Sequence, residues 1–216
     1  MKDILLLIKK DVLIEWRQRY AFNGIILYLA SVIFLIYISF IELKPELWIT
    51  LFWIVLLFTA VNAVAKSFLQ EGRSRWLYYY SIASPQSVIL SKIIYNLSLM
   101  IILCVIGFIL YSLVLGNPLQ HPIYFLLIVL IGSFSFSITF TLMSALASKA
   151  GNSAMIMPIL SFPIIVPMLL LLIKLSLESV YGGTLEWQYK DFALLISLVG
   201  VMIVMSVLLF PFLWKD

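Results

Sequence analysis

Hydrophobic positions in this chain do not alternate with polar ones. They come in long uninterrupted blocks separated by short polar joints, and from Ile93 to Ser148 there is no Asp, Glu, Lys or Arg. Six blocks are long enough to cross a hydrocarbon layer as helices, for which about 20 apolar residues suffice. They are predicted at 22–41, 47–65, 88–115, 123–147, 154–173 and 192–214. The joints are Glu42-Leu43-Lys44-Pro45-Glu46, a polar stretch over 66–87, Gly116-Asn117-Pro118 with His121-Pro122, Lys149-Ala150-Gly151-Asn152, and a polar loop from Lys174 to Asp191. Barrel strands would alternate apolar and polar residues, so helices are the reading that satisfies the backbone in lipid.

Residues 1–21 differ from the six blocks. Ile4, Ile8, Val12 and Trp16 share one helical stripe, and Lys2, Lys9, Lys10 and Arg17 lie on another, with Leu6 and Leu13 inside the charged arc. This pattern predicts an amphipathic helix in the membrane interface; the alternative is a basic leader before the first span. No small-residue cleavage site follows, so no cleavable signal peptide is expected.

Composition supports the same class. Hydrophobic residues make up 64% of the 216 residues and charged ones 11%, against about 25% charged in soluble proteins. The net charge of +4 speaks for topology, not for a nucleic-acid partner. With the N-terminus inside, only Lys44, Lys174 and Lys190 of the 14 Lys and Arg fall outside. The expected fold is therefore an all-α integral membrane protein: an interfacial helix over 1–21, then a six-span domain over 22–216, both termini cytoplasmic. Trp48, Tyr124, Trp187, Tyr189 and Trp214 sit where blocks end and are predicted as interface anchors. Cys104, the single cysteine, lies inside an apolar run and reads as a packing residue.

Several chemistries are missing. There is no G-x-x-x-x-G-K-[ST] loop, no H-E-x-x-H, and no Cys/His cluster. No Asp, Glu, Lys or Arg stands in the middle of a predicted span, which argues against ion-coupled transport. The chain is not expected to be an enzyme or to bind a cofactor, and energy for work must come from another chain.

Four segments carry information. The first is the stretch 66–87, with Glu71, Gly72, Arg73, Arg75, Trp76, Leu77, Tyr79, Tyr80, Ser84 and Pro85. Trp76, Tyr79 and Tyr80 are spaced i, i+3, i+4, giving a short helix an aromatic knob that can plug into a soluble partner. The alternative is a positive-inside loop whose aromatics rest among headgroups. The second segment is a hydroxyl stripe, Ser133, Ser137, Thr141, Ser144 and Ser148, which reads as close helix packing within the subunit or across a homodimer, or as the lining of a hydrophilic path. Phe134, Phe136 and Phe140 fill the other faces of that helix and meet lipid or neighbouring helices. The third is Pro158, Pro163 and Pro167 in the fifth block, which predict a kinked or broken helix and a hinge. The last is His121, the only histidine: imidazole is a common haem-iron ligand, and an ordinary loop residue is the other reading.

An interfacial helix, six spans and a loop of this kind after the second span resemble an ABC-2-type exporter membrane subunit. Glu71-Gly72, Ser84-Pro85 and Leu90-Ser91-Lys92, together with Met157-Pro158 through Phe162-Pro163-Ile164-Ile165-Val166-Pro167, are similar to the CcmB family, the B subunit of the cytochrome c maturation haem exporter. Arg73 and Arg75 depart from that pattern, standing where small and acidic residues are usual. The resemblance implies that residues 66–87 form the coupling segment docking on a separate ATPase subunit that binds the ATP. It implies haem-handling membrane subunits and a periplasmic haem chaperone as further partners, haem as the transported or handed-over molecule, and a bacterial inner membrane. An ABC-2 permease for a lipid or polysaccharide, and a non-transporting scaffold or assembly factor, remain the alternatives.

Overall fold

The computed structural model describes residues 2–17, 19–64, 84–148, 153–181 and 189–215. Among the described residues there are seven helices and no strand: α1 (Lys2–Arg17), α2 (Arg19–Ser39), α3 (Pro45–Val64), α4 (Pro85–Leu115), α5 (Pro122–Ser148), α6 (Ser153–Tyr181) and α7 (Tyr189–Lys215). The helices α2 to α7 supply six stretches long and apolar enough to span a membrane. The protein is thus an all-α integral membrane protein, as its hydrophobic blocks predict.

Local chemistry sets the helix ends. α3, α4 and α5 each begin on a proline, whose fixed φ suits the first helical position and whose missing N–H would be unpaired there anyway. This moves the starts of α3 and α4 ahead of the sequence-predicted positions. α4 ends at Gly116, whose φ of 78° is a conformation that L side chains rarely adopt. α6 runs on to Tyr181, eight residues past the predicted end, because Leu175, Ser176, Ser179 and Val180 continue the buried face while Lys174 turns outward. The predicted loop from Lys174 is therefore helical at its start. α6 also passes through Pro158, Pro163 and Pro167 as one helix.

α3 and α5 form the centre. Within their apolar stretches 61% is buried, against 22% in α2 and α7. α5 touches α3, α4, α6 and α7. Lipid tails are as apolar as leucine, so packing and interhelical hydrogen bonds, not a hydrophobic drive, hold such helices together.

The clearest example is Trp53 on α3. Its ring is fully buried and its Nε1 donates to Ser176 Oγ on α6 at 2.8 Å. The ring lies over Gly132 of α5, where a Cβ would collide with it. One residue thus ties three helices. Beside it Trp48, Phe52, Tyr111 and Phe125 form a buried aromatic cluster. Tyr111 Oη donates to Trp48 O, and Trp48 Nε1 donates to Gly116 O, each at 3.0 Å. Trp48 is therefore not the interface anchor predicted from its position at a block end: protein covers it instead of lipid.

Gly132→Ala is expected to destabilise the bundle by about 1–3 kcal/mol through overpacking. Trp53→Leu in the same chain should relieve the clash, so the double variant should lose less than the sum of the singles. Thermal unfolding in detergent measures both; strict additivity would show that the two sites do not meet.

Candidate functional site

Aromatic packing dominates the end of the bundle near Gly116. The opposite end, where α1 meets α4, is built from charged and polar side chains. Ile4, Leu7, Ile8, Asp11, Ile14 and Glu15 are among the less exposed residues of α1, and Asp11 and Glu15 reach α4. Of the predicted stripe of Ile4, Ile8, Val12 and Trp16, Ile4 and Ile8 are half-buried and Val12 is 47% exposed. Two acids occupy the inward face, and apolar periodicity alone gives no reason to place them there.

Their partners on α4 supply the reason. Lys92 is buried, with its side chain 5% exposed, and its Nζ lies 3.2 Å from both carboxylate oxygens of Asp11, itself 5% exposed. Lys10 adds a second cation 2.9 Å from Asp11 Oδ1. A buried ammonium without a counter-charge is prohibitively costly, so the pair fixes how α1 sits on α4. One turn on, Tyr95 Oη donates to Glu15 Oε2 at 3.2 Å. On the next residue, Asn96 Nδ2 donates across to Thr141 Oγ1 of α5 at 2.8 Å. Lys92, Tyr95 and Asn96, spaced i, i+3, i+4, tie α4 to α1 on one side and to α5 on the other.

Ser84 and Pro85 stand two turns before Lys92 and start α4. Ser84 caps the helix, its Oγ accepting from Ser87 N at 3.3 Å. Glu71, Gly72, Arg73, Arg75, Trp76, Leu77, Tyr79 and Tyr80 lie outside the described residues, as does Trp187. The structure therefore places the point where the predicted coupling segment becomes α4, and the buried pair lies immediately beyond it.

The hydroxyl residues of α5 are buried except Ser148, which is half-buried. Ser137 Oγ donates to Ile93 O of α4 at 3.3 Å, and Thr141 accepts from Asn96. Ser133 and Ser148 donate within their own helix, to Val129 O and Ala145 O at 2.7 Å. Ser144 is 1% exposed. Ser135 and Thr139, outside the stripe, are fully buried as well, and Thr139 Oγ1 reaches Met168 Sδ of α6 at 3.6 Å. The run Ser133-Phe-Ser-Phe-Ser-Ile-Thr-Phe-Thr141 puts small residues on every side, which suits a helix surrounded by neighbours. Phe136 and Phe140 are buried and Phe134 is 36% exposed.

The prolines of α6 divide. Pro163 and Pro167 are exposed on the outer face of the bundle, and Pro158 is half-buried. His121 is exposed in the joint before α5. Its backbone N, with that of Gln120, donates to Ser179 O at 2.9 and 3.0 Å, pinning the joint to the end of α6. Tyr181 Oη donates to Glu46 Oε1, and Lys174 pairs with Asp191 at 2.7 Å. Among the described residues no His, Cys, Asp and Glu side chains gather as a metal site.

Asp11, Glu15, Tyr95 and Asn96 were not legible as a site from the sequence. The available signal was the matched spacing of Asp11 and Glu15 with Lys92 and Tyr95, but nothing in one sequence pairs two helices 80 residues apart.

Compared with known proteins, the family model described as CcmB protein matches residues 2–215. No curated protein and no solved structure matches the chain. With nearly its whole length covered and six membrane-spanning helices in place, the chain belongs to the CcmB family, the membrane subunits of haem-export ABC complexes in cytochrome c biogenesis.

Proposed function

We propose that this chain transmits the nucleotide cycle of a separate ATPase subunit into the membrane part of a cytochrome c maturation complex, in a bacterial inner membrane. The observation that carries the reading is the buried Asp11–Lys92 pair, two turns from the Ser84 cap. The segment 66–87 docks on the ATPase at the cytoplasmic face, the side where most Lys and Arg fall. Its movement enters α4 at Pro85. The ion pair and the Tyr95–Glu15 bond make α1 follow α4, while Asn96 and Thr141 pass the displacement to α5. Packed contacts with two arrangements transmit such motion in discrete steps. Pro163 and Pro167 let α6 bend on its outer side, since each removes one backbone hydrogen bond.

The work done is release of a haem-loaded periplasmic chaperone from the haem-handling membrane subunits, with no passage of haem through this chain. Haem carries two carboxylates. Among the described residues the buried charged side chains are Asp11 and Lys92, both at the α1 end, and the centre is filled by Trp53, Phe136 and Phe140. That arrangement offers carboxylates no partner along the bundle.

Three outcomes are expected. Gentle purification of the tagged chain should recover an ATPase and the haem-maturation subunits, and Trp76→Ala with Tyr80→Ala should lose the ATPase alone; recovery of no ATPase by the parent chain would sink the reading. Asp11→Asn removes the carboxylate that Lys92 and Lys10 share and should destabilise the contact of α1 with α4, and Lys92→Met should cost less, since Lys10 stays on Asp11. Combined, they should regain folded protein yet lower cytochrome c maturation per ATP hydrolysed by about fivefold or more; full coupling in the double variant would remove the pair from the transmission path. Pro163→Ala should leave abundance unchanged and uncouple hydrolysis from maturation, whereas unaltered maturation would dismiss the hinge.

A further inference from the structure

α1 packs mainly against α4 and makes only a slight contact with α2. The wedge left between the three helices is a groove of about 600 Å³, within the size range of small-molecule sites, about 300–1,000 Å³. Its polarity changes along its length. One end holds Glu15, Asn23 and Tyr95. Asn23 is one residue past Phe22, where the α2 membrane span begins, so this end lies at the membrane surface. Leu99 and Ile102 line the groove four and seven residues after Tyr95, which at 1.5 Å per residue is roughly 6 and 10 Å deeper. Ile8 and Val12 of α1 line the groove on the other side of Glu15, because Asp11–Lys92 and Glu15–Tyr95 pair the two helices in the same direction, so the deeper apolar wall is Leu99 and Ile102. A cleft that is polar at the headgroup level and apolar at the acyl level fits one amphiphile standing in the leaflet.

The charge selects the headgroup. Glu15 is the charged residue among the described lining, and it is half-buried. Tyr95 donates to Oε2, and Oε1 is an anionic acceptor of the same carboxylate. The Asn23 side chain adds an amide oxygen. These are acceptors suited to a cation that carries N–H bonds. A primary ammonium has three N–H donors. A choline headgroup has the same charge and none. An anionic headgroup without an amine would set negative charge against Glu15.

We propose that this groove holds one inner-leaflet phospholipid with a primary-ammonium headgroup, a phosphatidylethanolamine, with its ammonium on Glu15 and Asn23 and an acyl chain along Leu99 and Ile102. The lipid fills the gap beside the Tyr95–Glu15 bond and thereby steadies α1 against α4.

The test is native mass spectrometry of the full chain, delipidated in detergent and then titrated with phosphatidylethanolamine, phosphatidylcholine or phosphatidylglycerol of identical acyl chains. One phosphatidylethanolamine should be retained about tenfold more tightly than phosphatidylcholine, the scale of one charge-assisted hydrogen bond. Glu15→Gln should erase that preference while lipid is still bound. Ser98→Phe, which fills the groove from an exposed position on α4, should abolish retention of every lipid. Equal retention of the ethanolamine and choline lipids by the unaltered chain would overturn the proposal, with no variant needed. So would a preference for phosphatidylglycerol, which would move the site to the basic side of α1, or a protein segment of a partner found in the groove.

Discussion

Lys92 cannot lie buried against the bundle without a counter-charge, and the position of α1 follows from that requirement. Asp11 meets it with both carboxylate oxygens at 3.2 Å. α4 has 31 residues, roughly 46 Å of helix, while the hydrocarbon layer is about 30 Å thick. Lys92, seven residues after Pro85, therefore sits near the rim of that layer and not at its centre. There the desolvation of a charge pair costs less than at midplane, yet water is scarce enough that a buried charge needs a partner. A pair in that situation contributes little net stability. It contributes specificity: α1 has one register on α4, and Tyr95–Glu15 repeats the constraint one turn further on.

The far end of the bundle is held by different physics. Trp53 over Gly132, its bond to Ser176, and the Trp48–Phe52–Tyr111–Phe125 cluster are shape-dependent contacts with backbone acceptors for the polar atoms. Such packing is dense and tolerates no change of volume. The joint before α5 is bonded to Ser179 O, and α3 reaches α6 through Tyr181 and Glu46. One end is thus locked by aromatic shape and the other oriented by hydrogen bonds and charge. Polar contacts exchange partners over small displacements, and close-packed rings do not. Ser84, the cap of α4, stands at the polar end.

The spans were legible because lipid demands continuous apolar runs, and that signal survives without any alignment. The helix ends were less so. Pro45 and Pro85 start helices that hydropathy places two or three residues later, and α6 continues to Tyr181 because half of its last two turns still faces protein. Trp48 shows the limit of the anchor rule: a tryptophan at a block end can cap a buried cluster as readily as it meets headgroups. The acids on the inward face of α1 were not legible for a deeper reason. Periodicity counts apolar residues as inward, and here the inward face holds two acids whose partners are remote in sequence. For Arg73, Trp76 and Tyr80 the sequence pattern is the only guide, since they lie outside the described residues.

The attachments of α4 differ along its length. It contacts α1, α2, α3, α5 and α7; Lys92, Tyr95 and Asn96 give it side-chain bonds in one turn near its start, and Tyr111 bonds Trp48 O near its end. Beyond that turn, Met100, Leu103, Cys104 and Gly107 are buried side chains or bare backbone against apolar neighbours. Gly107 brings α4 close to Leu56 and Leu29. α4 is thus held mainly by shape in its second half and by a polar turn in its first. The helix that the sequence places at the interface is the one bonded to that turn, through Asp11 and Glu15.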